Sequence, residues 1–130
     1  MKYLLDTDAV SNALRGVGQV GERLLQTAPG DIAVSSITEA ELWYGAEKLG
    51  SRRLSDAIQR FLEPIACVPF DGAAAKGYGA LRARLERRGT PIGNADTMIA
   101  AHAQLLGLVL VTSNRKHFQR VRGLACEDWR

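Results

Sequence analysis

With 130 residues, 46% of them hydrophobic and 24% charged, the chain reads as a single folded domain over 1–130. It has no apolar run of the roughly 18 residues that a membrane-spanning helix needs. The net charge of +3 permits an anionic partner without demanding one, and two cysteines without metal-ligand spacing exclude a disulfide scaffold or a zinc cage. Cys67 and Cys126 read as reduced, mostly buried thiols of a cytoplasmic protein, and nothing at the start of the chain resembles a secretory leader.

Residues 2–5 read as a short buried strand. "DAVSNALRG" follows as a helix stopped by Gly16, and "GQVGERLLQTAPG" as a second helix ended by the Pro29-Gly30 turn. "DIAVSS" is a second strand. "SITEAELWYGAEKLG" places Glu39 three residues after Ser36, the spacing of a capping box. A helix over about 51–63 carries Leu54, Ile58, Phe61 and Leu62 on one side. "IACVPF" is a third strand, and a helix capped by Asp71 runs to Arg88. "NADTMIAAHAQLLG" reads as a helix capped by Asn94 and ended by Gly107. "LVLVT" is the most strand-like run, followed by a short "KHFQRV" segment and a last strand near 124–127. Short apolar strands alternating with helices imply an α/β fold: a mostly parallel sheet sandwiched between helical layers.

In an open parallel sheet, functional side chains gather at the carboxyl ends of the strands. The first strand delivers Asp6 and Asp8 to that edge, and the "LVLVT" strand delivers Thr112, Ser113 and Asn114. Asp96 opens a helix that starts there, and Glu41 lies just over one turn into the helix after the second strand. Two carboxylates about 4 Å apart repel by roughly 4 kcal/mol at an effective dielectric of about 20. A cation must therefore stand beside them, or one must keep its proton. Helix-start roles explain Asp71 fully, and the capping box explains Glu39. They do not explain Glu41, whose neighbours Ile37, Thr38, Tyr44 and Gly45 form a largely apolar surround.

Taken in order, "LLDTDAVS", "SSITEAELWYGAEK", "PIGNADTMIAAHA" and "LVLVTSNRKHFQRVRGLACEDW" resemble the PIN-domain ribonucleases, specifically the VapC-type toxins of bacterial toxin–antitoxin pairs. The resemblance runs over nearly the whole chain. It implies a PIN-like three-layer α/β/α sandwich and an endoribonuclease dependent on Mg2+ or Mn2+ that leaves a 5′-phosphate and a 3′-hydroxyl. It also implies a VapB-type antitoxin that inhibits the enzyme, a homodimer, and contact with operator DNA only through that antitoxin. The anticodon loop of transfer RNA is a candidate substrate by the same resemblance.

Matched by position, Asp6, Glu41 and Asp96 fall on the family's catalytic acids. Asp6 and Asp96 are the expected metal contacts, while Glu41 would hold or orient the attacking water. Asn114 stands where many PIN domains carry a fourth acid. Asp8 stands where asparagine is usual, as if the charge had moved across the pocket. Asp8 and Asn114 support the site, and Thr7 and Thr112 are placed to hydrogen-bond the carboxylates.

RNA needs a positive surround for so acidic a pocket. Arg115, Lys116 and Arg120, in a basic run with His117 and Arg122 after the "LVLVT" strand, are the candidate RNA contacts. Arg82, Arg84, Arg87 and Arg88, crowded at one helix end, are a second candidate for that surround, with a solvated helix face as the simpler reading. His102 reads as a structural histidine, and Trp43, Tyr44 and Trp129 as packing residues. Three other readings compete. The DxD of "LLDTDAV" also resembles haloacid-dehalogenase-type phosphatases, but no acidic pair follows the late strand. A receiver domain would need Asp71 and Lys116 in places the strands do not give them. A catalytically silent PIN-like module that only binds RNA or antitoxin draws its support from Asn114.

Overall fold

The computed structural model describes residues 1–130. Five strands form one sheet in the order β3-β2-β1-β4-β5, with every adjacent pair parallel. They are β1 (Tyr3–Leu5), β2 (Ile32–Ser35), β3 (Ala66–Val68), β4 (Val109–Val111) and β5 (Cys126–Glu127). The helices are α1 (Thr7–Arg15), α2 (Val20–Leu25), α3 (Ser36–Leu49), α4 (Arg52–Leu62), α5 (Gly72–Arg87), α6 (Asn94–Leu106) and α7 (Arg115–Phe118).

The alternation of side chains along a strand splits the core in two. Leu4, Ala33 and Leu110 point to one face and pack with Leu81, Leu85, Ile99 and Ala103 of α5 and α6, joined by Phe118 of α7. Leu5, Val34 and Val111, one residue further along each strand, point to the other face. They pack with Val10 of α1, Val20 of α2, Leu42 and Ala46 of α3 and Ile58 of α4. Three layers result, as the alternation of short apolar strands with helices implies.

The chain builds outward from β1 to β2 and β3, then returns past β1 to add β4 and β5 on the other side. The direction of growth thus reverses between β1 and β4, where loops diverge to opposite faces and leave a crevice at the carboxyl ends. Leu5 pairs with both Val34 and Val111, so Asp6 emerges between the ends of β2 and β4, its N–H donating to the Val111 carbonyl at 3.0 Å.

Several expectations change. The cap of α3 is Ser35, whose hydroxyl accepts from the Ile37 N–H at 3.1 Å, not Ser36. Ser36 instead accepts from the Phe70 N–H at 2.9 Å, tying the loop after β3 to the start of α3. Glu39 makes no capping box; it accepts from Trp43 Nε1 and from the Cys67 thiol. Asn94 is the first residue of α6, which is preceded by Gly93 at φ 91°, a left-handed value that suits glycine. The expected second helix is a shorter α2 followed by a 3-10 turn at Pro29–Asp31.

Cys67 is exposed rather than buried, because β3 is an edge strand with Ala66 and Cys67 uncovered. Desolvation and the adjacent Glu39 carboxylate push its thiol up to about 11, so it remains protonated. Tyr44 is also exposed, whereas Trp129 is buried edge-on against Tyr3. His102 is buried with Nδ1 2.9 Å from Ser35 Oγ, and its burial lowers its pKa, so the imidazole is neutral and structural. Asp71 caps α5 by accepting from the Ala74 N–H at 3.0 Å.

Candidate active site

Asp6 leaves β1 and caps α1 in one step, its Oδ1 accepting from the Ala9 N–H at 2.8 Å. It is only 3% exposed, at the floor of the crevice. The hydroxyl of Thr112, the residue after β4, faces the Asp6 carboxylate and lowers its pKa, while the hydroxyl oxygen accepts from the Asn114 N–H at 3.0 Å. Despite these hydrogen bonds, Asp6 is raised from the usual carboxylate range to about 7. Burial is the main cause, with the charges of Asp8 and Asp96 adding to it.

Asp96 lies in the first turn of α6, half-buried. Its pKa is raised, chiefly by burial and further by the charges of Glu41 and Asp8, while His117 opposes the rise. His117 Nδ1 stands 3.0 Å from Asp96 Oδ2. Glu41 projects from α3 and accepts a hydrogen bond from the Thr7 hydroxyl. Asp8, exposed in the first turn of α1, acts on Asp6 and Asp96 through its charge. Acids from α1, α3 and α6 and from the end of β1 therefore share one field.

Asn114 is exposed at the start of α7, its side chain without a hydrogen bond. Arg115 and Lys116 are exposed on α7. Arg120 is exposed but donates to the Pro91 carbonyl at 2.9 Å, a contact that ties α7 to the segment leading into α6. A groove of about 370 Å3 opens from Asp8 and Glu41 over Leu14, Leu42, Leu54 and Ile58.

No three acidic, histidine or cysteine side chains stand close enough to enclose a metal ion among themselves. The donors are carboxylate oxygens on an open wall, not the closed nitrogen and sulfur set of structural zinc. Such a set fits a hard cation such as Mg2+, which binds through one or two carboxylates and keeps several waters. The raised pKa of Asp6 comes from its burial first and from the neighbouring acids second. Sequence reasoning read His117 only as part of a basic run. Its contact with Asp96 depends on α7 folding back toward α6, for which the sequence carries no local signal.

The topology and the acidic crevice define a PIN domain, and the PIN domain family model matches residues 3–124: the chain belongs to the PIN-domain family. Within it, the chain is 39% identical over 131 residues to the tRNA(fMet)-specific endonuclease VapC of Shigella flexneri, covering 99% of this chain and 98% of that protein. Ribonuclease VapC2 of Haemophilus influenzae is 40% identical over 131 residues, with the same coverage. The fold superposes with a TM-score of 0.93 and 38% identity on a chain of the DNA-bound VapBC structure from Salmonella typhimurium, covering 100% of this chain and 99% of that one. These likenesses place it among the VapC-type PIN domains.

Proposed function

We propose that this chain is a metal-dependent endoribonuclease toxin held in check by a VapB-type antitoxin. The observation that carries the reading is the convergence of Asp6, Asp8, Glu41 and Asp96 at the reversal point of the sheet, with Asp6 buried and raised to about 7. Crowded acids of this kind cost stability, and a divalent cation offsets that cost.

Asp6 and Asp96 would hold Mg2+ or Mn2+, which when bound supplies positive charge at the attacked phosphate and a water acidified for attack. Thr112 fixes the Asp6 carboxylate through its hydroxyl, and the Ala9 N–H fixes the other side. Glu41, aimed by Thr7, accepts a proton from the attacking water. Asp8 and Asn114 line the mouth, and Asp8 adds charge that favours a cation. Hydrolysis in this arrangement leaves a 5′-phosphate and a 3′-hydroxyl. Arg115 and Lys116, exposed beside Asn114, would meet the phosphates flanking the cut.

The likeness to tRNA(fMet)-specific endonucleases makes transfer RNA the first substrate class to test, with the anticodon loop of an initiator transfer RNA at its head. The VapBC likeness supports a VapB-type partner, and the contact with operator DNA would run through that partner. The groove beside Asp8 and Glu41 offers an apolar bed on which a partner segment would block access to the acids. By the same likeness to VapC-type toxins, a cytoplasmic homodimer is the assembly we propose.

The deciding experiment incubates antitoxin-free protein with total RNA, in Mg2+ and in EDTA, for wild type and Asp96→Asn. Discrete fragments with 5′-phosphates, absent in EDTA and in the variant, are the expected result. A folded wild-type chain that cuts nothing would instead leave a silent binding module.

A further inference from the structure

Four arginines line one cleft of about 220 Å3 on the far end of α5. Arg84 and Arg87 come from its last turn, Arg88 follows them, Arg122 arrives from the segment after α7, and Leu81 is the only apolar lining residue. All four are exposed, and none of the protein's ion pairs involves any of them. An ordinary solvated helix face behaves differently, and α5 itself provides the contrast: Arg82 pairs with Glu86 one turn away at 3.7 Å. Cations also suit the carboxyl end of a helix dipole, which accounts for Arg84 and Arg87. It does not account for Arg122, brought in from another segment to face them. Convergence of four unneutralised guanidinium groups is unfavourable unless an anion joins them. The planar fork of arginine matches phosphate oxygens in pairs.

The cleft is tied to the acidic crevice. Arg88 donates to the Arg120 carbonyl at 2.9 Å, and Arg120 in turn donates to the Pro91 carbonyl at 2.9 Å. Pro91 lies in the segment that leads into α6 and Asp96, and α7, just before Arg120, carries His117 to Asp96. Two hydrogen bonds therefore link the cleft to the segments that carry Asp96 and His117.

We propose that the cleft of Arg84, Arg87, Arg88 and Arg122 docks the sugar–phosphate backbone of RNA, gripping the substrate outside the bond that is cut. The inference rests on the ribonuclease reading above and extends the basic surface beyond Arg115, Lys116 and Arg120. It gives Arg84, Arg87 and Arg88 a role beyond that of a solvated helix face.

The test is fluorescence anisotropy of a labelled, unstructured, mixed-sequence RNA oligonucleotide with the antitoxin-free chain in EDTA. The triple variant Arg84→Ala/Arg87→Ala/Arg122→Ala leaves Arg88 in place to keep its tie to Arg120. Affinity should fall at least tenfold near 0.1 M salt, and the slope of log K against log salt should become shallower by about 2, at about 0.7 per lost single-strand phosphate contact. The corresponding triple Lys variant should keep most of the slope. If the triple variant does not fold, Arg87→Ala and Arg122→Ala singly should each lower the slope by about 0.7. Unchanged affinity and slope would overturn the proposal, as would an equal loss of binding to poly-glutamate, which would mark a general anion patch. Binding is read without metal, so the two readings fail separately. RNA bound through these arginines but never cut would sink the ribonuclease reading alone, whereas RNA cut by a chain whose binding ignores them would sink the docking site alone.

Discussion

Asp6 and Asp71 hold the same local post. Each follows a strand and caps the next helix by accepting from the N–H three residues on, at 2.8 and 3.0 Å. Their surroundings differ. Asp71 lies beyond the edge strand β3 and is exposed, so its carboxylate serves as a cap outside the acidic crevice. Asp6 follows the central strand, 3% exposed, and shares its crevice with acids from α1 and α6. Capping is a property of four consecutive residues, whereas chemistry at a carboxylate depends on which strand delivers it and what stands opposite. Glu39 and Glu41 make the same contrast within one helix. Glu39 spends its oxygens on Trp43 and Cys67, and Glu41 turns toward the acids.

The largest effect that tests this contrast is on RNA cleavage. Asp6→Asn should lower it by about a hundredfold or more, the scale of losing a group that acts on the reacting atoms, while Asp71→Asn leaves it within about twofold. Asparagine caps helices as well as aspartate, so both variants fold, and equal losses in the two would break the distinction.

The next effect is on stability against pH. The folded Asp6 carboxyl keeps its proton up to about 7, while the unfolded one releases it near 3.8. The native state therefore binds the extra proton between those values, and metal-free stability should fall as pH rises from about 4 to 7, by up to about 4 kcal/mol. Denaturant unfolding of Asp6→Asn should show that slope flattened; Asp71→Asn should retain it. By the same linkage, Mg2+ affinity should climb with pH up to about 7 and level off above, because the cation competes with the Asp6 proton.

A smaller effect concerns the cap itself. Asp71→Ala should cost about 1 kcal/mol in stability with cleavage retained, read from denaturant midpoints. The smallest concerns Asp8, exposed at the mouth of the crevice. Asp8→Asn should weaken Mg2+ binding by about three- to fivefold, the size of one exposed charge interaction. A titration showing unchanged affinity would mean that Asp8 does not stand in for the acid absent at Asn114.

The parts of the fold visible in the sequence are those set by neighbours in the chain. "YLL", "IAVS" and "VLV" read as buried strands because a parallel sheet covered on both faces asks for continuous apolar runs. Gly16 and Gly107 mark helix ends because each takes a left-handed φ that glycine adopts without strain. The cap of α3 is ambiguous in the sequence because two adjacent residues offer the same chemistry. Ser35 and Ser36 can both cap, and only the approach of Phe70 to the Ser36 hydroxyl decides between them.

For the site, an apolar strand ending in acids pointed to Asp6 and Asp8, whereas Glu41 and Asp96, each within a helix, were assigned through the resemblance of whole motifs. A strand that ends in an acid delivers it to one edge of a parallel sheet whatever the strand order. Strand order itself, and all that depends on it, belongs to the tertiary structure. It placed β1 in the centre and β3 at the edge, burying Asp6 and exposing Cys67. It set His117 against Asp96 and gathered Arg122 with Arg84, Arg87 and Arg88 across more than thirty residues of chain. Burial and long-range proximity determine the free energy of a charge, and neither is a property of any short stretch of sequence.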